Sequence, residues 1–511
     1  MAIDKYEIVI GCEIHTQLLT KTKAFCACEN RYGGMPDTRV CPVCLGLPGA
    51  MPRISKGYVE LGAVAGLALN CDIASYTKFD RKHYFYPDLA KGYQITQYDL
   101  PLCTDGFVDL PLVHYPKDQQ PGGEKCRTKN FIGEDCIIDG KYRRVRVERI
   151  HLEEDVGKSL HLQGAHSYID YNRCGTPLIE IVTKPDMTSP EEAALFIQNV
   201  QEILRYVKVT KGNLEEGNMR CDANINLNVW EDGKLYHTPI SEIKNLNSFR
   251  AIKEACTYEA QRQLKEFIED RQEFNPGFKN TMGWDEEKGV TNILRTKNSF
   301  VDYRFTTEPD IKPFTVSTEL VEAAAEKVGE LPEQKRIRFQ QEFGLTQFDS
   351  EVLTGTRDLS LWFEEAAAES KSAKKVANLI IAELLAVLNE KKQTINDVTI
   401  TPKHIAELAD ALEEKKITSK QGKEVFAEML SSNKLPSVII KEKGMEVVSD
   451  EGAIEKIVNE VIAANPKAIE DFKSGKTNVV GWLMGQVMKA SQGKANPGQA
   501  TKMISEKLAK L

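Results

Sequence analysis

Up to about residue 310 the chain alternates between apolar and polar positions in short runs. EIVIGCEIH, YRRVRVERIHLEED, PLIEIV and CDANINLNV follow a period of two or are rich in β-branched residues, which predicts half-buried strands. Beyond residue 315 the pattern changes. TVSTELVEAAAEKVGEL, SAKKVANLIIAELLAVLNE, TPKHIAELADALEE and SDEGAIEKIVNEVIAAN are long segments rich in Ala, Leu, Glu and Lys, as expected of helices. Thr401-Pro402 and Ser449-Asp450 read as helix starts, a capping side chain just before the first turn. The expected architecture is α+β. Residues 1–310 form a domain of antiparallel strands, 311–440 an all-helical domain and 441–511 a small helical tail. Pro436 and Gly444, between two helical patterns, suggest a linker over 434–444. The stretch from Pro101 to Lys141, rich in Gly, Pro, Asp and Lys, reads as an inserted loop or hairpin outside the core.

Composition narrows the class. Of 511 residues, 41% are hydrophobic, enough to exclude a disordered chain. With 67 basic and 75 acidic residues the net charge is −8, which excludes a globally basic nucleic-acid binder but not a local basic surface. No signal-peptide pattern opens the chain, and the most apolar helical run, Val376 to Leu388, is too short to span a bilayer. A cytoplasmic protein is expected, with its 12 cysteines reduced or metal-bound.

Four of those cysteines form two close pairs, Cys26/Cys28 and Cys41/Cys44. Gly33-Gly34 and Pro36-Asp37 between them are turn formers able to fold the pairs together. Two such pairs can give zinc four sulfur ligands, a closed and hence structural set. The plainer alternative is four unrelated buried thiols.

A second constellation is oxygen-rich. In a strand, Glu13, His15 and Gln17 share one face. Glu153 and Glu154 end a second strand, and Glu180 interrupts a branched apolar run, where an unpaired carboxylate is costly. These residues are the materials of a divalent-cation site. Each also has an ordinary explanation: a solvated face, a buried ion pair, a hydrogen-bonded histidine. Gly157-Lys158-Ser159 ends like a phosphate-binding P-loop, but Leu152 stands where that loop needs its first glycine. In TKFDRKHYFYPDLAKGYQITQYD, Lys78, Arg81, Lys82 and Lys91 alternate with Tyr84, Phe85, Tyr86, Tyr93 and Tyr98, chemistry suited to single-stranded RNA or nucleotide. A buried aromatic loop is the alternative.

The same segment, together with IGCEIHTQL, RIHLEEDVGKS, YNRCGTPLIEIVTKPD, EEGNMRCDANINL, EIKNLNSF, DYRFTTEPDI and GWLMGQVMKASQGKANP, closely resembles the B subunits of bacterial tRNA-dependent Asp/Glu amidotransferases. The resemblance runs through nearly the whole chain, with the motifs in the family's order. It implies a catalytic cradle of antiparallel strands, then a helical domain and a helical tail that contacts tRNA. It also implies ATP- and Mg²⁺-dependent phosphorylation of the side-chain carboxylate on mischarged Glu-tRNA(Gln) or Asp-tRNA(Asn). Ammonia from glutamine, released by the amidase or A subunit, then displaces phosphate; a small third or C subunit is the other member of the heterotrimer.

Within that frame Glu13, His15, Glu153, Glu154 and Glu180 are expected around one cavity, holding Mg²⁺ with the ATP phosphates. Arg220, Lys244, Asn245, Asn247 and Ser248 are expected to hold phosphate or the terminal adenosine, and Tyr84, Tyr86, Lys91 and Tyr93 to line the approach of the 3′ end. The segment 471–511 carries seven lysines against two acids, and Lys489 and Lys494 are the expected tRNA contacts. A non-catalytic tRNA-binding adaptor and a standalone metal-dependent phosphohydrolase are the competing classes. An adaptor has no need for the carboxylates to converge.

Overall fold

The structure is a computed structural model that describes residues 3–130, 132–160, 166–275, 279–297, 303–445, 451–473, 478–491 and 497–510. The chain forms two compact units, 1–331 and 332–511.

The first unit is built on one large sheet. Its principal strands are β1 (Ile3–Gln17), β2 (Cys103–Pro111), β3 (Tyr142–Glu154), β4 (Pro177–Thr183), β5 (Met219–Glu231), β6 (Ile240–Leu246), β7 (Lys279–Asp285) and β8 (Val290–Lys297). They lie in the order β8-β7-β6-β5-β1-β4-β3-β2, with the short strand Asp72–Ile73 beyond β2. Neighbours are antiparallel with one exception: β6 and β7 run parallel. A parallel pair needs a crossover, and the helix Phe249–Asp270 between them supplies it.

Alternation sorts the sheet's faces. On β1, Ile10, Cys12 and Ile14 are buried, whereas Glu13, His15 and Gln17 point the other way and are only partly covered. The apolar face is roofed by helices α1 (Lys56–Ala68), α2 (Pro190–Tyr206) and α3 (Phe249–Asp270). Phe196, Ile197, Val200, Ile252 and Ala255 join the strand residues in one core. Helix α2 starts with Ser189 as cap, its hydroxyl accepting from the Glu192 N–H, and Pro190 in the first turn. Helix α4 (Thr318–Val328), the first of the helical text, also belongs to this core through Ala324 and Val328, so the first unit runs past residue 310.

Two expectations are corrected. The start of the supposed insertion, Cys103–Pro111, is strand β2, paired with β3 and partly buried. Its Gly106 is no loop marker: a Cβ there would lie 2.7 Å from the Leu69 carbonyl and 2.3 Å from Cys71 Sγ. Glycine allows the close approach. The second correction concerns 434–444. Pro436–Lys443 is a helix whose Ile439 and Ile440 are buried, and Gly444 closes it in the left-handed conformation. Proline at the start and glycine just past the end punctuate a helix as readily as they mark a linker.

The described residues of the second unit are helical and form two separate apolar clusters. One runs from Phe339 to Ile440 and includes helix α5 (Pro402–Glu413). As expected, Thr401 caps α5, and its hydroxyl meets His404 Nδ1 at 3.0 Å. The other, from Ile454 to Leu508, includes α6 (Asn478–Ala490). The expected cap at Ser449-Asp450 lies outside the described residues. Among the described residues, no helix is long and apolar enough to cross a membrane.

Candidate active site and metal cluster

Strand register builds the site on the polar face. His15 stands opposite Arg220 on one side and Glu180 on the other, and Glu180 stands opposite His151. Four polar side chains therefore form a row across β5, β1, β4 and β3, at the cross-strand spacing that lets neighbours touch. Glu153, two residues beyond His151, shares that face. His15 Nε2 lies 3.2 Å from Glu180 Oε2 and 3.5 Å from Glu153 Oε1. His151 Nε2 is 3.2 Å from the same Glu180 oxygen. His15, Glu153 and Glu180 can each aim one donor atom at a common ion. Glu153, Glu180 and His151 are buried.

Electrostatics hold the cluster together. Burial opposes the imidazolium form of His15, but Glu180 and Glu153 outweigh it and hold its pKa up at about 9. His151 is raised to about 9 by the same contest. Burial works against the Glu180 carboxylate too, yet the two imidazoles keep its pKa well below the usual range. His151 Nδ1 is buried with no hydrogen-bond partner among the described residues. Two carboxylates and an imidazole, arranged this way, suit a divalent cation that also takes substrate oxygens.

Two of the five residues expected in this set are elsewhere. Glu154 follows Glu153 directly, so the period of two turns it to the opposite face. It pairs there with Lys91, and its Oε1 accepts from the Ile95 N–H at 3.0 Å. Glu13 stays on the polar face but one row over, opposite Asp222. Its Oε1 accepts from Asn224 Nδ2 at 2.8 Å and lies 4.0 Å from Lys279 Nζ.

The expected phosphate-holding cations are already paired. Arg220 donates to Asp155 Oδ2 at 2.6 Å, and Gln17 Nε2 donates to the same oxygen at 2.8 Å. Burial would raise the Asp155 pKa, but Arg220 and Arg173 lower it. Lys244 pairs with Asp222 and, at 3.0 Å, with Glu242. Ser248 caps α3, its Oγ accepting from the Ala251 N–H at 3.0 Å. Asn245 takes φ +67° at the end of β6, and Asn247 is exposed beside it.

The four cysteine sulfurs converge in the loop between β1 and α1. Cys44 Sγ lies 3.6 Å from Cys26, 3.7 Å from Cys41 and 3.9 Å from Cys28. A tetrahedron of sulfurs about 2.3 Å from a central ion has edges of about 3.8 Å, so the set fits a metal such as zinc. The wholly buried Lys23 places Nζ 3.5 Å from Cys44 Sγ and 2.8 Å from the Arg39 carbonyl oxygen.

In the basic–aromatic segment, Tyr84 and Tyr86 meet edge to face at 5.9 Å between centroids, with Tyr86 and Phe85 exposed. Arg81 covers the Tyr93 ring at 4.3 Å while paired to Glu308 at 2.7 Å. Lys82 sits 5.0 Å from the Tyr303 ring centre. Burial, with Glu153 and Glu154, raises the Tyr84 pKa. Gly157-Lys158-Ser159 leads into a short strand, Lys158–Leu160, rather than a helix, so it is no P-loop. In the second unit Lys489 is exposed in the last turn of α6. Lys494 lies outside the described residues.

Sequence comparison decides the family. A model described as the GatB/GatE catalytic domain matches residues 8–322, and one described as the GatB domain matches 361–508. Among curated proteins, the B subunit of aspartyl/glutamyl-tRNA(Asn/Gln) amidotransferase from Treponema denticola is 57% identical over 505 residues, covering 99% of this chain and 98% of its own. The proteins of the same name from Thermodesulfovibrio yellowstonii and Borrelia hermsii are 43% and 42% identical, each alignment covering 99% of both chains. The chain belongs to the family of amidotransferase B subunits.

In this member of the family, three residues of the polar face go beyond those expected from sequence. His151 was legible: it precedes Glu153 by two in one strand and so must share its face. Asp155, two residues after Glu153 at the end of the run YRRVRVERIHLEED, carried the same signal, whereas Glu242 carried none comparable. They gain their roles from Arg220, Lys244 and Lys279, which approach from other strands.

Proposed function

We propose that this chain activates the side-chain carboxylate of Glu-tRNA(Gln), Asp-tRNA(Asn) or both for amidation, using ATP. The observation that carries the reading is the convergence of His15, Glu153 and Glu180 on the polar face of a rigid sheet. An adaptor would have no use for two carboxylates drawn together there at the cost of desolvation. The substrate carboxylate oxygen attacks the γ-phosphorus as the bond to the β-phosphate oxygen breaks, releasing ADP. Ammonia then adds to the acyl phosphate carbon, loses a proton, and inorganic phosphate leaves. His15, Glu153 and Glu180 would hold Mg²⁺, which supplies positive charge where two anions must meet. His151 fixes the Glu180 carboxylate from the side opposite His15. Exposed Phe85 and Tyr86 offer stacking faces to the RNA 3′ end. The ammonia comes from the amidase partner, with the small third partner in the same cytoplasmic complex.

The test is single-turnover ADP formation by the assembled complex with mischarged tRNA, ATP and an ammonia source. ADP should form only with the aminoacyl-tRNA present. Equal ADP formation without it would favour a standalone phosphohydrolase, and none in either case an adaptor.

The cysteine cluster is assigned to zinc, in a structural role, because four thiolates leave no open position. Metal analysis of gently purified protein should find about one zinc per chain, and Cys41→Ser should lower that content markedly. Native protein free of zinc would defeat the assignment.

The tail is assigned to tRNA. Deleting 446–511 should weaken tRNA binding strongly and flatten its salt dependence, because lysine–phosphate contacts release counterions. Glutamine hydrolysis by the complex should persist. An unchanged salt titration would reassign the tail.

A further inference from the structure

Two lysines are buried among the described residues, Lys23 and Lys335. Lys335 pairs with a carboxylate, its Nζ 2.5 Å from Glu364 Oε2. Lys23 is wholly buried, yet no carboxylate among the described residues pairs with it. Its Nζ donates instead to the Arg39 carbonyl oxygen at 2.8 Å and to Cys44 Sγ at 3.5 Å. A buried ammonium with no anion beside it is costly. The carbonyl oxygen offers only a partial charge, and a thiol sulfur offers less. A thiolate at Cys44 would remove the cost.

The metal site has the opposite need. A divalent ion held by four thiolates carries two net negative charges, here within a largely covered loop. Cys44 is the one ligand of the four that is buried, so its charge is the least reached by water. Lys23 meets that sulfur. The buried cation and the buried thiolate cluster each answer the other's desolvation.

Lys23 also joins the two halves of the cluster. Its backbone N–H donates to the Cys28 carbonyl at 2.9 Å, closing the turn that carries the first cysteine pair. Its Nζ reaches the second pair, at Cys44 itself and at Arg39, two residues before Cys41. The stem is held from behind. The Ala24 N–H donates to the Gly175 carbonyl at 2.9 Å, and a Cβ on Gly175 would touch Lys23 Cδ at 3.6 Å. Packing on the neighbouring chain thus fixes the direction from which the ammonium approaches sulfur.

We infer that Lys23 is a positioning residue of the metal site: its N–H···S hydrogen bond to Cys44 offsets one negative charge of the loaded cluster, and its backbone and side chain together tie the two cysteine pairs into one ligand set. The inference rests on the assignment of the cluster to zinc. Partners of this kind, one bond beyond the ligand, tune the affinity of a site without touching the ion.

Zinc affinity of the full chain is measured by competition with a chromogenic chelator, for native protein, Lys23→Met and Lys23→Gln. Methionine keeps an apolar stem and removes both charge and donor; glutamine removes the charge and keeps a donor. Each protein is also loaded with Co²⁺, whose absorption reports its sulfur ligands directly. Lys23→Met should bind zinc about 10–100-fold more weakly, the scale of losing such a partner. Its thiolate-to-cobalt charge-transfer band should move to lower energy, because the Cys44 sulfur loses the hydrogen bond that holds its electrons. Lys23→Gln should bind zinc more weakly than native protein. Native zinc affinity in Lys23→Met overturns the inference. Weaker zinc binding with an unmoved cobalt band assigns Lys23 to loop packing alone and overturns its charge role. If Lys23→Met does not fold, Lys23→Gln decides: native affinity there overturns the charge role. Native protein that takes up neither zinc nor cobalt overturns the zinc assignment itself, which is a different failure from a native site indifferent to Lys23.

Discussion

Replacing Glu180 by alanine is expected to lower aminoacyl-tRNA-dependent ATP cleavage by about 10²–10³-fold, the scale of losing one preorganised electrostatic element of a reaction site. Glu180 is the centre of its cluster. His15 and His151 both reach the same carboxylate oxygen, and Glu153 approaches His15 from the neighbouring row. Its removal leaves the buried His151 and the partly buried His15 without their shared acceptor and takes one of two convergent carboxylates from any cation. Manganese affinity, followed by electron paramagnetic resonance on the full chain, should fall with it. Glutamine hydrolysis by the amidase partner should stay measurable, which separates lost activation from lost assembly. Full ATP cleavage in the variant would remove the cluster from the reaction.

The largest stability effect is expected at Glu192→Ala, a loss of about 3–5 kcal/mol. Glu192 is 1% exposed and forms an ion pair with Arg143, itself 4% exposed. It also accepts from the Thr188 N–H at 2.7 Å and from the Tyr115 hydroxyl at 3.2 Å. Alanine would strand a buried guanidinium and two donors at the start of α2, beneath the strands that position the site. Denaturant unfolding of the full chain measures the change. The double variant Arg143→Met/Glu192→Leu should recover most of it, because two apolar side chains leave no uncompensated charge. A double variant as unstable as Glu192→Ala would show that packing, not charge, governs this position.

Alternation along β1, β3 and β4 determined from sequence alone that Glu13, His15 and Gln17 share a face, and that a carboxylate inside PLIEIV needed a partner. The spacing of the cysteines made a sulfur cluster possible beside the alternative of four unrelated thiols, and the fold of the intervening loop brings the sulfurs together. The same alternation contained an unused consequence: adjacent Glu153 and Glu154 cannot both face a common ion, whereas His151 and Glu153 must share a side. Periodicity also could not separate a linker from a helix at Pro436–Lys443, because proline and glycine serve at both.

Tertiary structure alone decided which strands are neighbours. Residues 15, 151, 180 and 220 are far apart in the chain, and only the order β5-β1-β4-β3 and its register set them in one row, with Glu13 one row away. It also decided which cations have no partner among the described residues. Arg220 and Lys244 look as available in the sequence as Arg31 and Lys158. Whether a carboxylate from another strand has already neutralised a cation is a long-range fact, set by pairing across the sheet and carried by no local pattern.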